Sequence, residues 1–107
     1  MAKKAKADPK QKQEAQGFLS KVPEEHVFYC QDGCMLQDMK ELGEALAVMA
    51  DETFVYHANI EKNDFSSWLA DAIGDKKLAK DLENVLDRNQ AARIVASRIA
   101  ILAKILV

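Results

Sequence analysis

One stretch of 25 residues, Asp51–Asp75, constrains the fold more than any other part of the sequence. It holds the only tryptophan of the chain, Trp68, together with Phe54, Phe65 and one of the two histidines, His57. Large aromatic side chains contribute strongly to core stability because each one buries a large apolar area. We therefore expect the core to form around this stretch.

The same stretch contains the signals for two helices that meet at a joint. Asp51 is expected to cap the first helix, and Asn63 or Asp64 the second, because a short side-chain oxygen accepts a hydrogen bond from a free N–H group of the first turn. Gly74 is expected to end the second helix, where the backbone often needs a positive φ. We predict that six residues form a structural or interaction joint: Phe54, Tyr56, His57, Asn63, Asp64 and Trp68.

The residues before the joint predict a helix, a hairpin and a second helix. Asp8-Pro9 is typical of a helix start, with Asp as the cap and Pro at the first helical position, and Pro23 ends that helix. Residues near 26–36 predict a two-stranded hairpin, because the Asp32-Gly33 pair in its turn supplies a positive φ. Residues 38–49 have apolar side chains at helical spacing.

After the joint, an apolar repeat over 78–86 follows Asp75 as a cap, and a long C-terminal helix is predicted over 88–107. The length of 107 residues is that of one domain. The predicted fold class is mainly α, or α+β with one small two-stranded hairpin. We expect a compact bundle of about five helices in a single domain over 9–107, preceded by a disordered basic tail over 1–8.

The charges are distributed unevenly along the chain. Residues 1–23 have a net charge of +4, residues 24–87 carry fifteen acidic residues against five lysines, and residues 88–107 have a net charge of +4. Because opposite potentials tend to face each other, we expect the basic C-terminal segment beside the acidic middle of the same chain or of a second copy. The acidic middle argues against broad nucleic-acid docking there, since phosphate binding needs clustered Lys and Arg.

The C-terminal helix has apolar side chains on more than one face. Such a surface needs either a central place in the bundle or a partner subunit. We predict both in part, with a homodimer formed through this helix, because two-fold closure is the commonest way to bury such a surface. Arg93, Arg98 and Lys104 interrupt its apolar run, so no membrane insertion is expected. The polar start of the chain does not resemble a signal peptide, and a cytoplasmic location is expected.

Five spaced motifs occur in a fixed order over about residues 24–86: Phe28-x3-Asp32-Gly33, ELGEAL with Leu42 and Leu46, Glu52-Thr53-Phe54-x-Tyr56-His57, Asn63-Asp64-Phe65-x-x-Trp68 and Gly74-Asp75-x-x-Leu78-Ala79. Together they resemble a small uncharacterised helical domain of archaea and bacteria, found alone or appended to larger proteins such as glycosyltransferases. The resemblance implies an accessory or regulatory domain without chemistry of its own. It offers no activity that can be carried over to this chain.

His26, Cys30 and Cys34 are spaced like possible zinc ligands, with His57 as a fourth. Only one cysteine pair exists, however, and strand residues alternate between faces, so we expect no metal and no other cofactor. A disulfide between Cys30 and Cys34 is a second possibility, although so small a loop gains little stability from it. Two free thiols are the expectation for a reducing compartment.

His57 is the one residue of the joint that suggests chemistry. If the two helices fold back on each other, Asp64 can orient the imidazole for general-base catalysis. No nucleophile elbow and no glycine-rich phosphate loop accompany the pair. We therefore expect His57 to fix the angle between the helices, with a surface ligand site or catalysis as alternatives. The predicted function is a non-catalytic protein-interaction or regulatory module, and the alternative is a small nucleic-acid-associated protein that uses the basic N-terminal tail and the C-terminal helix.

Overall fold

A computed structural model describes residues 8–107, so the predicted tail lies outside the described residues except for Asp8. The described residues form six α-helices and a two-stranded antiparallel sheet. The order is α1 (Pro9–Leu19), β1 (Phe28–Tyr29), β2 (Met35–Leu36), α2 (Met39–Val48), α3 (Asp51–His57), α4 (Asp64–Trp68), α5 (Lys76–Leu82) and α6 (Arg88–Leu106). The predicted mainly helical fold with one small hairpin is confirmed.

Most helix starts follow the capping signals in the sequence. At five of the six helices, a side chain at the capping position accepts a hydrogen bond from a first-turn N–H group. These caps are Asp8, Asp38, Asn63, Asp75 and Asp87. The prediction for α3 is wrong, because Ala50 occupies the capping position and makes no side-chain hydrogen bond. Asp51 is instead the first helical residue, and its carboxylate accepts a hydrogen bond from Arg88 Nε at 3.0 Å.

The second helix of the joint ends at a glycine, as predicted. A π-helical turn, Leu69–Ile73, continues α4 directly. The N–H groups of Gly74 and Asp75 then both donate to the carbonyl oxygen of Leu69, at 2.8 and 3.0 Å. Gly74 has a φ of 92°, a conformation that glycine adopts without the steric cost that a Cβ atom would bring.

The hairpin is shorter than predicted, because Glu24–His26 forms a 3₁₀ turn before β1. Phe28 lies opposite Leu36, and Tyr29 lies opposite Met35. The first pair is buried, while the second pair faces solvent. Gly33 provides the positive φ of the turn, at 96°.

The C-terminal helix α6 packs against three other helices, α1, α2 and α5. Its residues Ala91, Val95 and Leu102 are buried. Gly43 allows α2 to lie close to α6, since a Cβ atom at this position would be only 3.3 Å from Val95 Cγ1. The helix thus has the contacts within the bundle that were predicted as one part of its role, while a second subunit on its other side stays a prediction. Within residues 8–107, no helix combines the length and the apolar character needed to cross a bilayer.

Candidate functional site

The joint between α3 and α4 is a tight reversal of the chain. Ala58 and Asn63 form a single antiparallel bridge across it. The side-chain oxygen of Asn63 accepts from the N–H of Ser66 at 2.9 Å, and its Nδ2 donates to the carbonyl of Leu82 at 2.9 Å. This one side chain therefore starts α4 and also fixes it to the end of α5.

His57 lies at the end of α3 and is only 5% exposed. Its Nδ1 is 3.0 Å from Asp64 Oδ2, and its Nε2 accepts from the backbone N–H of Gln31 at 2.9 Å. Because a backbone N–H group can only donate, Nε2 carries no proton and Nδ1 must carry one. The imidazole is therefore neutral, and its Nδ1–H donates to the carboxylate of Asp64.

Asp64 is shared between two donors. Lys62 Nζ lies 2.9 Å from the same Oδ2 atom and 5.2 Å from the centre of the Tyr56 ring. Burial acts to raise the pKa of Asp64, but the hydrogen bonds from Lys62 and His57 and the positive charge of Lys62 outweigh burial, so the pKa is lowered. Asp64 is therefore ionised at neutral pH, and it holds the imidazole from one side.

The aromatic side chains pack around Phe65 and Phe28. The ring centroid of Phe28 is 5.2 Å from that of Phe65, 5.8 Å from that of Trp68 and 5.1 Å from that of His57. Phe54 lies on the other side of Phe65, at 5.9 Å. The rings of Phe65 and Phe28 thus lie between Phe54 and Trp68 and link them through contacts between neighbouring rings.

Tyr56 is the exposed member of the predicted joint. Its side chain is 56% exposed, although its ring centroid lies 4.9 Å from that of His57. The other five predicted residues, Phe54, His57, Asn63, Asp64 and Trp68, are buried or half-buried. The joint is thus mainly an internal contact, with Tyr56 and Lys62 on its outer side.

The 3₁₀ turn and the hairpin that follows it form a third wall of the joint, which local sequence patterns do not predict. Trp68 Nε1 donates to the backbone carbonyl of His26 at 2.7 Å, and His57 accepts from the backbone of Gln31. Because these partners are backbone groups, the residue types at 26 and 31 carry no signal for the contact. Phe28 was the only available signal, as a large aromatic residue in a very short strand.

The geometry of His57 favours binding the hairpin over proton transfer. A general base needs a free nitrogen within hydrogen-bond reach of a substrate proton, and both ring nitrogens here already have partners. The thiol of Cys30, the residue before Gln31, is also poorly suited to nucleophilic attack. Burial, together with the nearby Asp32 and Cys34, raises its pKa to about 11.

The zinc and disulfide alternatives are not assembled in the structure. Cys30 is buried, Cys34 is exposed, and both are free thiols. In the described part of the chain, no group of three or more His, Cys, Asp and Glu side chains is arranged to hold a metal ion.

No protein-family model, curated protein or solved structure matches this chain. The resemblance to the archaeal and bacterial helical domain therefore stays a prediction, carried by the motifs alone.

Proposed function

We propose that this chain is a non-catalytic protein-interaction or regulatory module that acts as a homodimer through α6. The observation that carries the proposal is a solvent-facing surface of α6 that the bundle leaves uncovered. We call it the α6 face, and it consists of Arg93, Ile94, Ser97, Ile101 and Lys104. Its members lie within about one third of the helix circumference at 3.6 residues per turn.

The α6 face mixes aliphatic and basic side chains. Ile101 is 52% exposed, and Ile94 is only partly buried. Together with Lys77 and Asp81 of α5, all members of the face except Lys104 line a groove of about 490 Å³. Exposed aliphatic side chains beside a groove are typical of an interaction surface, because they gain stability only when a partner covers them.

The internal role of the joint supports a module without catalysis. His57, Asp64 and Trp68 are engaged in holding the hairpin against α3 and α4. We propose that the chain uses no cofactor and that its function lies in the shape and surface that this joint stabilises. An accessory domain of the kind that the sequence resembles would work in this way. The free thiols Cys30 and Cys34 support a cytoplasmic location, where thiols stay reduced.

Sedimentation velocity tests the dimer. The wild-type chain is expected to sediment at high micromolar concentration with twice its mass of 11.9 kDa. Ile101→Asp is expected to give the monomer, because a buried carboxylate in the interface is costly. Val55→Asp is the matched control, since Val55 is 54% exposed on α3 and should leave the dimer intact. A wild-type monomer at all concentrations would contradict the proposal.

Binding to nucleic acid through the basic tail and α6 is the second candidate. Arg93 and Lys104 favour it, because neither forms an ion pair within residues 8–107. Arg88 and Arg98 weaken it, because they already pair with Asp51 and Asp75. A gel-shift titration against salt, with the full chain and with residues 1–7 deleted, tests this candidate. A strong, salt-sensitive shift that needs both the tail and Arg93 would favour nucleic-acid binding over the module.

A further inference from the structure

A second surface, between the α3–α4 and α5–α6 connections, has no assigned role in the fold. It is a groove of about 450 Å³ whose lining includes Ile60, Glu61, Ser67, Glu83 and Leu86, and we call it the acidic groove. Ile60 is 89% exposed and Leu86 is 54% exposed. Leu86 belongs to the apolar repeat over 78–86 in the sequence, but α5 ends at Leu82 and Leu86 is exposed beyond it.

The acidic groove has negative charge that the chain does not neutralise. Over residues 8–107, no Lys, Arg or His nitrogen lies within ion-pair distance of Glu61 or Glu83. Lys62 also lines the groove, but its ammonium group is engaged by Asp64 at 2.9 Å. The groove therefore presents two unpaired carboxylates beside two exposed aliphatic side chains.

The α6 face has the opposite pattern. Arg93 and Lys104 are cations without an ion-pair partner in the described residues, and Ile94 and Ile101 lie between them along the helix. The two surfaces also adjoin in the chain, because Glu83 and Leu86 of the groove precede α6 directly. Each surface thus offers two unpaired charges of one sign with two aliphatic residues.

We infer that the acidic groove receives the α6 face of a second copy of this chain. The inference rests on the proposed dimer and names the surface that α6 meets. Glu61 and Glu83 face Arg93 and Lys104 of the second copy, while the aliphatic residues of the two surfaces cover each other. In a two-fold dimer every such contact occurs twice, because both surfaces are present on both copies. The charges then set the orientation of the two copies, and the aliphatic residues supply the buried area.

A charge-reversal experiment tests the pairing. The dimer dissociation constant is measured by sedimentation equilibrium at low salt for Glu61→Lys/Glu83→Lys, for Arg93→Glu/Lys104→Glu and for the variant that combines all four changes. Each double variant is expected to weaken the dimer about tenfold or more, since like charges then face each other twice over. The fourfold variant is expected to restore affinity, because the charges are complementary again.

Controls separate the pairing from general effects of charge. Glu44→Lys reverses an exposed acidic residue on α2, outside both surfaces, and is expected to leave the dissociation constant unchanged. Circular dichroism checks that each variant keeps its helices. Added salt is expected to weaken the wild-type dimer, because the paired charges lie near solvent.

The outcomes distinguish this inference from the dimer itself. A dimer that Ile101→Asp disrupts but that the charge reversals leave unchanged would overturn the inference and keep the proposed function. Double variants that weaken the dimer without restoration in the fourfold variant would also overturn the pairing. A wild-type monomer at every concentration and salt would overturn both proposals.

Discussion

Two carboxylates begin neighbouring helices in this protein, and their environments differ sharply. Asp75 caps α5, is 1% exposed and accepts two hydrogen bonds from Arg98, at 2.7 and 3.1 Å. Asp64 is the first residue of α4, is 34% exposed and is shared between His57 and Lys62. The first pair joins α5 to α6, and the second holds the joint.

Burial decides what each pair contributes. Taking two charges out of water is costly, and the cost is offset only when their geometry is good and every polar atom has a partner. The Asp75–Arg98 pair meets this condition, because Asp75 also accepts the N–H of Leu78 at 3.1 Å. The loss of one partner would then leave the other charge buried and unpaired. In the His57–Asp64 pair, Asp64 is 34% exposed, so water screens the charge of its carboxylate if the contact with His57 is lost.

Asp75→Ala is expected to have the largest effect. It leaves the guanidinium of Arg98, whose side chain is 17% exposed, without its carboxylate and removes the cap of α5. The free energy of unfolding, measured by urea titration, should fall by about 3–5 kcal/mol. Asp81→Ala is the matched control, because Asp81 forms an exposed ion pair with Lys77, and we expect a loss of about 0.5 kcal/mol or less. Equal losses in the two variants would contradict the role of burial.

His57→Phe is expected to have an intermediate effect. The phenyl ring keeps the contacts with Phe28, but the N–H of Gln31 and the carboxylate of Asp64 lose their partner. Asp64 still accepts from Lys62, so the main cost is the part-buried N–H of Gln31 left without an acceptor, and we expect a loss of about 1–3 kcal/mol.

Amide hydrogen exchange locates the effect of that substitution. The N–H of Gln31 should exchange faster in His57→Phe, because it no longer donates to Nε2. His26→Phe serves as the control, since the His26 side chain is exposed and only its backbone carbonyl contacts Trp68. Unchanged exchange at Gln31 in His57→Phe would refute the tautomer and the hydrogen bond derived from it.

The two pairs were not equally accessible to sequence analysis. His57 and Asp64 are seven residues apart across one helix break, so local signals were enough to predict their contact. Asp75 and Arg98 are 23 residues apart. Arg88, Arg93 and Arg98 point in different directions around α6, and only the packing of α6 decides which of them reaches a carboxylate.

Helix caps are likewise only partly predictable from the local sequence. Asp75 was predicted as a cap, and either Asn63 or Asp64 was predicted for α4, because each precedes a helical pattern and can accept a first-turn N–H; the structure selects Asn63. Asp51 has the same local signal, but the capping position falls one residue earlier, at Ala50, and the Asp51 carboxylate binds Arg88. The contact that Asp51 makes therefore depends on Arg88, which is 37 residues away, and the residues around Asp51 do not predict it.

Acid titration of the joint is expected to give the smallest effect. The pKa of Asp64 is lowered in the folded protein, even though burial acts against this. A carboxyl group whose pKa is lower in the folded state stabilises the fold fully above its unfolded pKa, at about 4. That contribution is lost as the pH falls through the folded pKa. The joint should therefore weaken only in the acid range, as the carboxylate of Asp64 takes up a proton.

Lys62→Ala separates the contribution of the lysine from that of His57 in this titration. The substitution removes one of the two donors to Asp64, so the pKa of Asp64, measured by NMR of its side-chain carboxyl, should rise towards its ordinary value. Lys77→Ala, which removes the exposed partner of Asp81, should leave that titration unchanged. Stability at neutral pH should hardly change, because Lys62 is exposed and His57 still donates to Asp64. If the pKa of Asp64 stayed the same without Lys62, His57 alone would hold the carboxylate, and the joint would resemble the buried pair more closely than its exposure indicates.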